Sequence, residues 1–190
     1  EAGQAPVQAR GPLACADFEN RAFSDLVTGT GIFRNQGTGI SPSSNLKVPV
    51  NSTALVTADF DDDGRTDVAS IEADGSIHLF LNETETANRW LRIALVGIRN
   101  PKLAPGAQVE VKAGPWYQKR TYDGVPLLFG VGSMSEVDTV RITWPNGLIQ
   151  NQPRQAAGKT EVYKEAQRLS GSCPMIFAWD GRQFDFVTDV

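Results

Sequence analysis

Between Asp59 and Asp67 the chain reads Asp59-Phe60-Asp61-Asp62-Asp63-Gly64-Arg65-Thr66-Asp67, placing acids at alternate positions, then a glycine, then one more acid. Carboxylates crowded into one tight turn repel one another unless a cation sits among them. Calcium suits such a turn, because it takes roughly six to eight oxygens at about 2.3 to 2.6 Å and mixes carboxylates, a backbone carbonyl and water. The spacing assigns Asp59, Asp61, Asp63 and Asp67 as side-chain ligands, the Arg65 carbonyl as the backbone ligand, and Asp62 to solvent. Gly64 lets the chain reverse where a Cβ would clash. The plain alternative is a polar surface turn without an ion, and repelling carboxylates at ligand spacing weigh against it.

The elements that must carry this loop read as strands. Ala54-Leu55-Val56-Thr57-Ala58 precedes it and Asp67-Val68-Ala69-Ser70-Ile71 follows, both rich in β-formers and without a helical period. An EF-hand needs flanking helices and a bidentate acid at the twelfth loop position. Counted from Asp59, that position is Ser70, so a β-framed calcium loop is expected instead.

The inventory for catalysis is thin. His78 is the single histidine, and it alternates against Ile77, Leu79 and Leu81, which gives it a solvent-side or pocket-rim place. Neither a GxSxG elbow, nor zinc-ligand spacing, nor a phosphate-binding glycine loop is present. No catalytic residue is assigned, and the chain is expected not to be an enzyme. Trp90, Trp116, Trp144 and Trp179, with Tyr117 and Tyr122, could form a sugar-stacking surface, although packing is the better expectation for most of them. Trp116 and Tyr117, which follow Gly114-Pro115 at a turn, are the candidate ligand-contact aromatics.

Composition bounds the rest. With 190 residues, 41% hydrophobic and 21% charged, the chain can bury a core and hold one or two domains. Its net charge is −4 and no cluster of Lys or Arg stands out, so nucleic acid is excluded as a partner. No apolar run approaches the roughly 20 residues that span a bilayer. Cys15 and Cys173 match no metal spacing, and a disulfide and two buried thiols are equally compatible with them. A calcium loop of modest charge suits millimolar external calcium, which points to an extracytoplasmic location: secreted, periplasmic or on the cell surface. The start at Glu1 and the end at Val190, inside a patterned segment, suggest a processed or truncated chain.

The loop also has an echo. Ala16-Asp17-Phe18-Glu19-Asn20-Arg21-Ala22-Phe23-Ser24-Asp25-Leu26-Val27 parallels Ala58 to Ala69 position for position, and the copies close similarly, at Asn35 and Asn82. In the first copy Arg21 and Ala22 replace the third acid and the glycine. That copy is therefore expected to bind calcium weakly or not at all, its turn without a hinge, with Arg21 neutralising Asp17, Glu19 or Asp25. The two copies resemble FG-GAP/VCBS calcium-loop repeats, which implies partial β-propeller-type blades.

Further on, Trp90 to Val96, Ala107 to Ala113 and Val137 to Trp144 alternate apolar and polar residues as half-buried strands do, and Gly130-Val131-Gly132 reads as a turn. Asn88-Arg89-Trp90-Leu91, Pro105-Gly106-Ala107-Gln108-Val109, Phe129-Gly130-Val131-Gly132, Val137-Asp138-Thr139-Val140 and Trp144-Pro145-Asn146-Gly147 resemble successive motifs of the ASPIC/UnbV domain. This implies an antiparallel β-sandwich or barrel-like domain. Leu128 stands where that family often has histidine, so no chemistry of that histidine carries over. Cys173 to Thr188 reads as a hairpin around an Asp-Gly turn.

The expected fold class is therefore all-β: partial β-propeller-type blades plus an antiparallel β-sandwich or barrel-like domain. Residues 1–11 read as a flexible leader, 12–86 as two repeats, 87–165 as the ASPIC/UnbV-like domain, and 166–190 as a linker with the start of a further β domain. The expected function is a non-catalytic, calcium-stabilised module that meets a protein or glycan partner. The alternatives are the ancillary, substrate-binding portion of a larger enzyme, or a purely structural spacer.

Overall fold

The computed structural model of the chain describes residues 11–29, 31–43, 52–167 and 175–189, and among them every regular element is a strand. The all-β class expected from the alternation is borne out.

The first repeat forms β1 (Leu13–Ala16), β2 (Asp25–Thr28), β3 (Gly31–Asn35) and β4 (Ile40–Pro42), an antiparallel sheet in chain order. The second forms β5 (Ser52–Ala58), β6 (Asp67–Glu72) and β7 (Ile77–Phe80), again antiparallel and in order. Between them lies a small core of Ala16, Phe18, Val27, Ile32 and Val68, with Leu55 and Phe80 packed against it. Period-two alternation explains the pattern: Ala14, Val27 and Ile32 are cross-strand partners on one face of the first sheet. Their equivalents in the second sheet are Val56, Ala69 and Leu79, also in register. This second face is open, with Val56 54%, Ile77 73% and Leu79 54% exposed. His78 faces solvent as expected, its Nε2 3.5 Å from the Glu72 carboxylate.

The remaining chain builds a two-layer sandwich. β8 (Arg89–Val96), β9 (Gln108–Ala113), β10 (Trp116–Thr121), β11 (Leu127–Gly132), β12 (Glu136–Thr143), β13 (Ile149–Ala156) and β14 (Lys159–Lys164) divide into one sheet of order β10-β9-β12-β13 and another of order β11-β8-β14. Leu91, Ile93 and Leu95 of β8 meet Val109 and Val111 of β9 and Val140 and Ile142 of β12 in a shared buried core. That is the alternation of each strand carried inward, worth about 25 cal/mol per Å² of apolar surface removed from water.

Two expectations need correction. β14 pairs with β8 in parallel, from Lys159 opposite Leu91 to Lys164 opposite Val96, so the sandwich is not wholly antiparallel. Alternation fixes which face a strand buries and leaves its direction open. Gly130-Val131-Gly132 is no turn either, since it lies within β11, with Val131 fully buried. A Cβ on Gly130 would overlap the Asp17 carboxylate and lie 2.6 Å from the Asn20 Cα, so glycine permits close contact there.

Past the end of β14, buried Glu165 ties two loops to the sandwich. Its Oε2 accepts the backbone N–H groups of Ile98 at 2.8 Å, Arg99 at 2.8 Å and Asn100 at 3.0 Å, while Oε1 accepts Nδ2 of Asn100 and of Asn146, each at 2.8 Å. Burial pushes this carboxyl up, but the donors from Asn100, Ile98, Arg99 and Asn146 outweigh it and hold the pKa down at about 2. The last strands, β15 (Met175–Trp179) and β16 (Phe184–Asp189), form the expected hairpin. Asp180 Oδ1 accepts the N–H groups of Arg182 and Gln183 in its turn. Cys15 is exposed on β1, and Cys173 lies outside the described residues.

Candidate functional site

The acidic loop runs from the end of β5 to the start of β6, so its first and last acids sit at the mouth of one strand pair, with Ala58 opposite Asp67. Backbone donors shape it. Asp59 Oδ1 accepts the N–H of Asp63 at 3.1 Å and Oδ2 that of Gly64 at 3.0 Å. Asp67 Oδ2 accepts the N–H of Phe60 at 2.8 Å and Oδ1 that of Asn82 at 2.7 Å. The turn needs left-handed backbone at Asp62 (φ 63°) and Gly64 (φ 83°). Glycine at the second position is doubly required, because a Cβ there would lie inside the Trp90 indole.

Asp59, Asp61 and Asp67 each offer a carboxylate oxygen within 4.8 Å of the others. Oxygens on opposite sides of a calcium ion stand about this far apart, so these three residues fit the ion. Asp63 is not among the three. Its Oδ1 accepts the Arg65 N–H at 2.7 Å and its carboxylate pairs with the Arg65 guanidinium, whose Nε donates to the Asn82 carbonyl at 2.5 Å. Asp62 is largely exposed, as expected, and also pairs with Arg92, whose Nη1 lies 3.5 Å from Asp59. Burial raises the Asp59 pKa, against the lowering effect of the Gly64 N–H and of Arg92.

The first loop repeats three of these four bonds. Asp17 Oδ1 accepts the N–H of Arg21 at 2.8 Å, Asp17 Oδ2 that of Ala22 at 2.6 Å, and Asp25 Oδ1 that of Asn35 at 2.8 Å. Asn20 (φ 54°) and Ala22 (φ 67°) keep the same left-handed pair. The hinge expected to be lost is therefore intact, with Ala22 held where glycine would be easier. Arg21 stands in as the cation: Nη2 meets Asp25 Oδ1 at 2.6 Å, Nε lies 3.1 Å from Glu19 Oε2, and Nη1 donates to the Asn35 carbonyl at 2.9 Å. Glu19 is also 2.5 Å from Arg34. Burial pushes the Asp17 carboxyl up, against the Arg21 and Ala22 N–H groups.

The loops and the sandwich interlock. Asn20 Nδ2 donates to the Gly64 carbonyl at 2.9 Å, Asn82 Nδ2 to the Phe18 carbonyl at 2.8 Å, Asn88 Nδ2 to the Glu19 carbonyl at 2.9 Å, and the Gly132 N–H to the Asn20 carbonyl at 2.8 Å. Trp116 and Tyr117 do not form one exposed pair. Trp116 turns onto Phe23 of the first repeat, ring centroids 5.1 Å apart and edge to face, while Tyr117 is 58% exposed and donates to Glu110 at 2.6 Å. Alternation along β10 separates them. Arg92 and Arg120, both beside the loops, had no sequence signal, because each is one polar residue on an alternating strand.

The described residues thus define an all-β protein in which two small sheets, each carrying a carboxylate-bearing loop, dock on a β-sandwich. Residues 97–169, beginning directly after β8, match the family model described as ASPIC and UnbV. No curated protein matches the chain.

Proposed function

We propose that the protein is a non-catalytic, calcium-stabilised extracytoplasmic module that engages a protein partner, its two N-terminal sheets being FG-GAP/VCBS-type repeats beside the ASPIC/UnbV domain. One observation carries the calcium reading. The two loops share three carboxylate–backbone bonds, and in the first the guanidinium of Arg21 reaches across to Asp25, whereas the second has Asp63 at that position and a cluster of three carboxylates, with Arg92 3.5 Å from Asp59 at its edge. Asp59, Asp61 and Asp67 would hold the ion, with the Arg65 carbonyl as a backbone donor. A bound calcium ion would neutralise these carboxylates, and Asp59 and Asp67 would then tie the end of β5 to the start of β6.

The open apolar face of the second sheet supports the partner reading. Its residues are the repeat equivalents of a face that the first sheet buries, and exposed apolar patches of this kind mark interaction surfaces. A purely structural spacer would not need one.

Calcium that binds only the folded loop stabilises it by mass action, by about 2.7 kcal/mol at a hundredfold excess over Kd. A chelator is expected to lower the melting temperature of the native chain and to leave that of Asp61→Ala unchanged. A native melting temperature indifferent to calcium removes the ion from the account, and titration giving two equivalent sites overturns the assignment of Arg21.

A further inference from the structure

A cleft of about 220 Å³ opens where the two loops meet the sandwich, and its wall includes Arg120, Arg92, Asn20, Asp17, Asp59 and Asp123. Two of these groups are incompletely matched by the protein. Arg120 donates through Nη1 to the Leu128 carbonyl at 3.1 Å and lies 5.2 Å from the Phe129 ring centroid, yet it has no ion-pair partner among the described residues. Burial lowers its pKa and the charge of Asp17 only partly opposes this, so the guanidinium is a desolvated cation in want of an anion. Asn20 is 1% exposed, its Nδ2 donates to the Gly64 carbonyl, and its buried Oδ1 receives no hydrogen bond. Native structures rarely leave such an acceptor unmatched.

A cation without an anion and an acceptor without a donor on one wall have a common complement. A carboxylate takes the planar donor fork of arginine in bidentate fashion, and an adjacent hydroxyl or ammonium supplies the missing donor. Inorganic phosphate, carrying up to two negative charges at neutral pH, would be repelled by Asp17, Asp59 and Asp123 more strongly than a single carboxylate, while a simple cation would meet two guanidiniums. The volume is below the roughly 300 to 1,000 Å³ of drug-sized sites, so the occupant is small.

We propose that this cleft binds a small carboxylic acid bearing a neighbouring hydroxyl or ammonium group, of sugar-acid or amino-acid size, with Arg120 on its carboxylate and Asn20 Oδ1 accepting from its donor. This cleft adjoins the metal loop, and Asp59 borders both.

Calorimetric titration of the whole chain with glucuronate against glucose, and with serine against serinol, tests it, each in calcium and in chelator. At least one acid is expected to bind while its neutral counterpart does not. Arg120→Gln should weaken that binding by about tenfold or more, as loss of a charge-assisted bond does. Leu128→Phe, which leaves both polar groups in place and fills the cleft beside Arg120, should abolish binding while the chain still melts cooperatively. The proposal is overturned if neither acid binds up to about ten millimolar, if the neutral counterparts bind equally well, or if both variants bind like the native chain. Acid binding by a chain indifferent to calcium overturns only the metal reading, and calcium-responsive melting without acid binding overturns only this one.

Discussion

At the scale of the residue, the twin loops form a natural comparison in which backbone is held constant and side chains vary. Gly64 and Ala22 share a left-handed conformation, but only Gly64 lies under an indole. Gly64→Ala is therefore expected to destabilise the chain by about 2 to 4 kcal/mol, combining backbone strain with overpacking against Trp90. Ala22→Gly should do the reverse and stabilise by roughly 0.5 to 1 kcal/mol, because relief of strain exceeds the extra freedom of the unfolded chain. Chemical denaturation of the two variants at equal calcium checks both signs. A loss on Ala22→Gly would mean that the first loop tolerates alanine without strain.

At the scale of the element, Glu165 is the pin that holds the loop after β8 and the turn after β12 onto β14. Its pKa falls from 4.5 to about 2 on folding, so its contribution is fully present above pH 4.5 and is lost as pH falls through about 2. Glu165→Gln should flatten the acid limb of the stability curve between those values, and unchanged acid sensitivity in thermal melts would refute the assignment. The sheet β5-β6-β7 makes the opposite case, an apolar face with none of the described residues packed over it. Ile77→Ser and Leu79→Ser are each expected to cost no more than about 1 kcal/mol, because more than half of each side chain is already in water. A loss of 2 kcal/mol or more would show that this face is covered.

At the scale of the whole molecule, the repeats and the sandwich share Gly64 with Trp90, Gly130 with Asp17 and Asn20, and Trp116 with Phe23. Such interdigitation predicts one cooperative unfolding transition, and Trp116→Ala should cost about 2 to 3 kcal/mol across it. Separate melting of the two parts would refute the coupling. Much of this was legible in the chain: alternation gave the all-β class and most strands, and the spacing of Asp59, Asp61 and Asp67 gave the carboxylate cluster, because both depend on neighbours close in sequence. Asp63 fell outside the cluster because Arg65 captured it, and the parallel pairing of β14 was silent because direction leaves no mark on a pattern of period two. Phe18 and Phe60 hold the same place in the repeat, and so do Ile32 and Leu79, yet the first of each pair is 1% and 4% exposed and the second 45% and 54%. Local sequence set the conformation that these pairs share. Only the tertiary structure decided which of them is buried, because burial belongs to whatever packs opposite: the second sheet for the first repeat, and none of the described residues over the open face of the second.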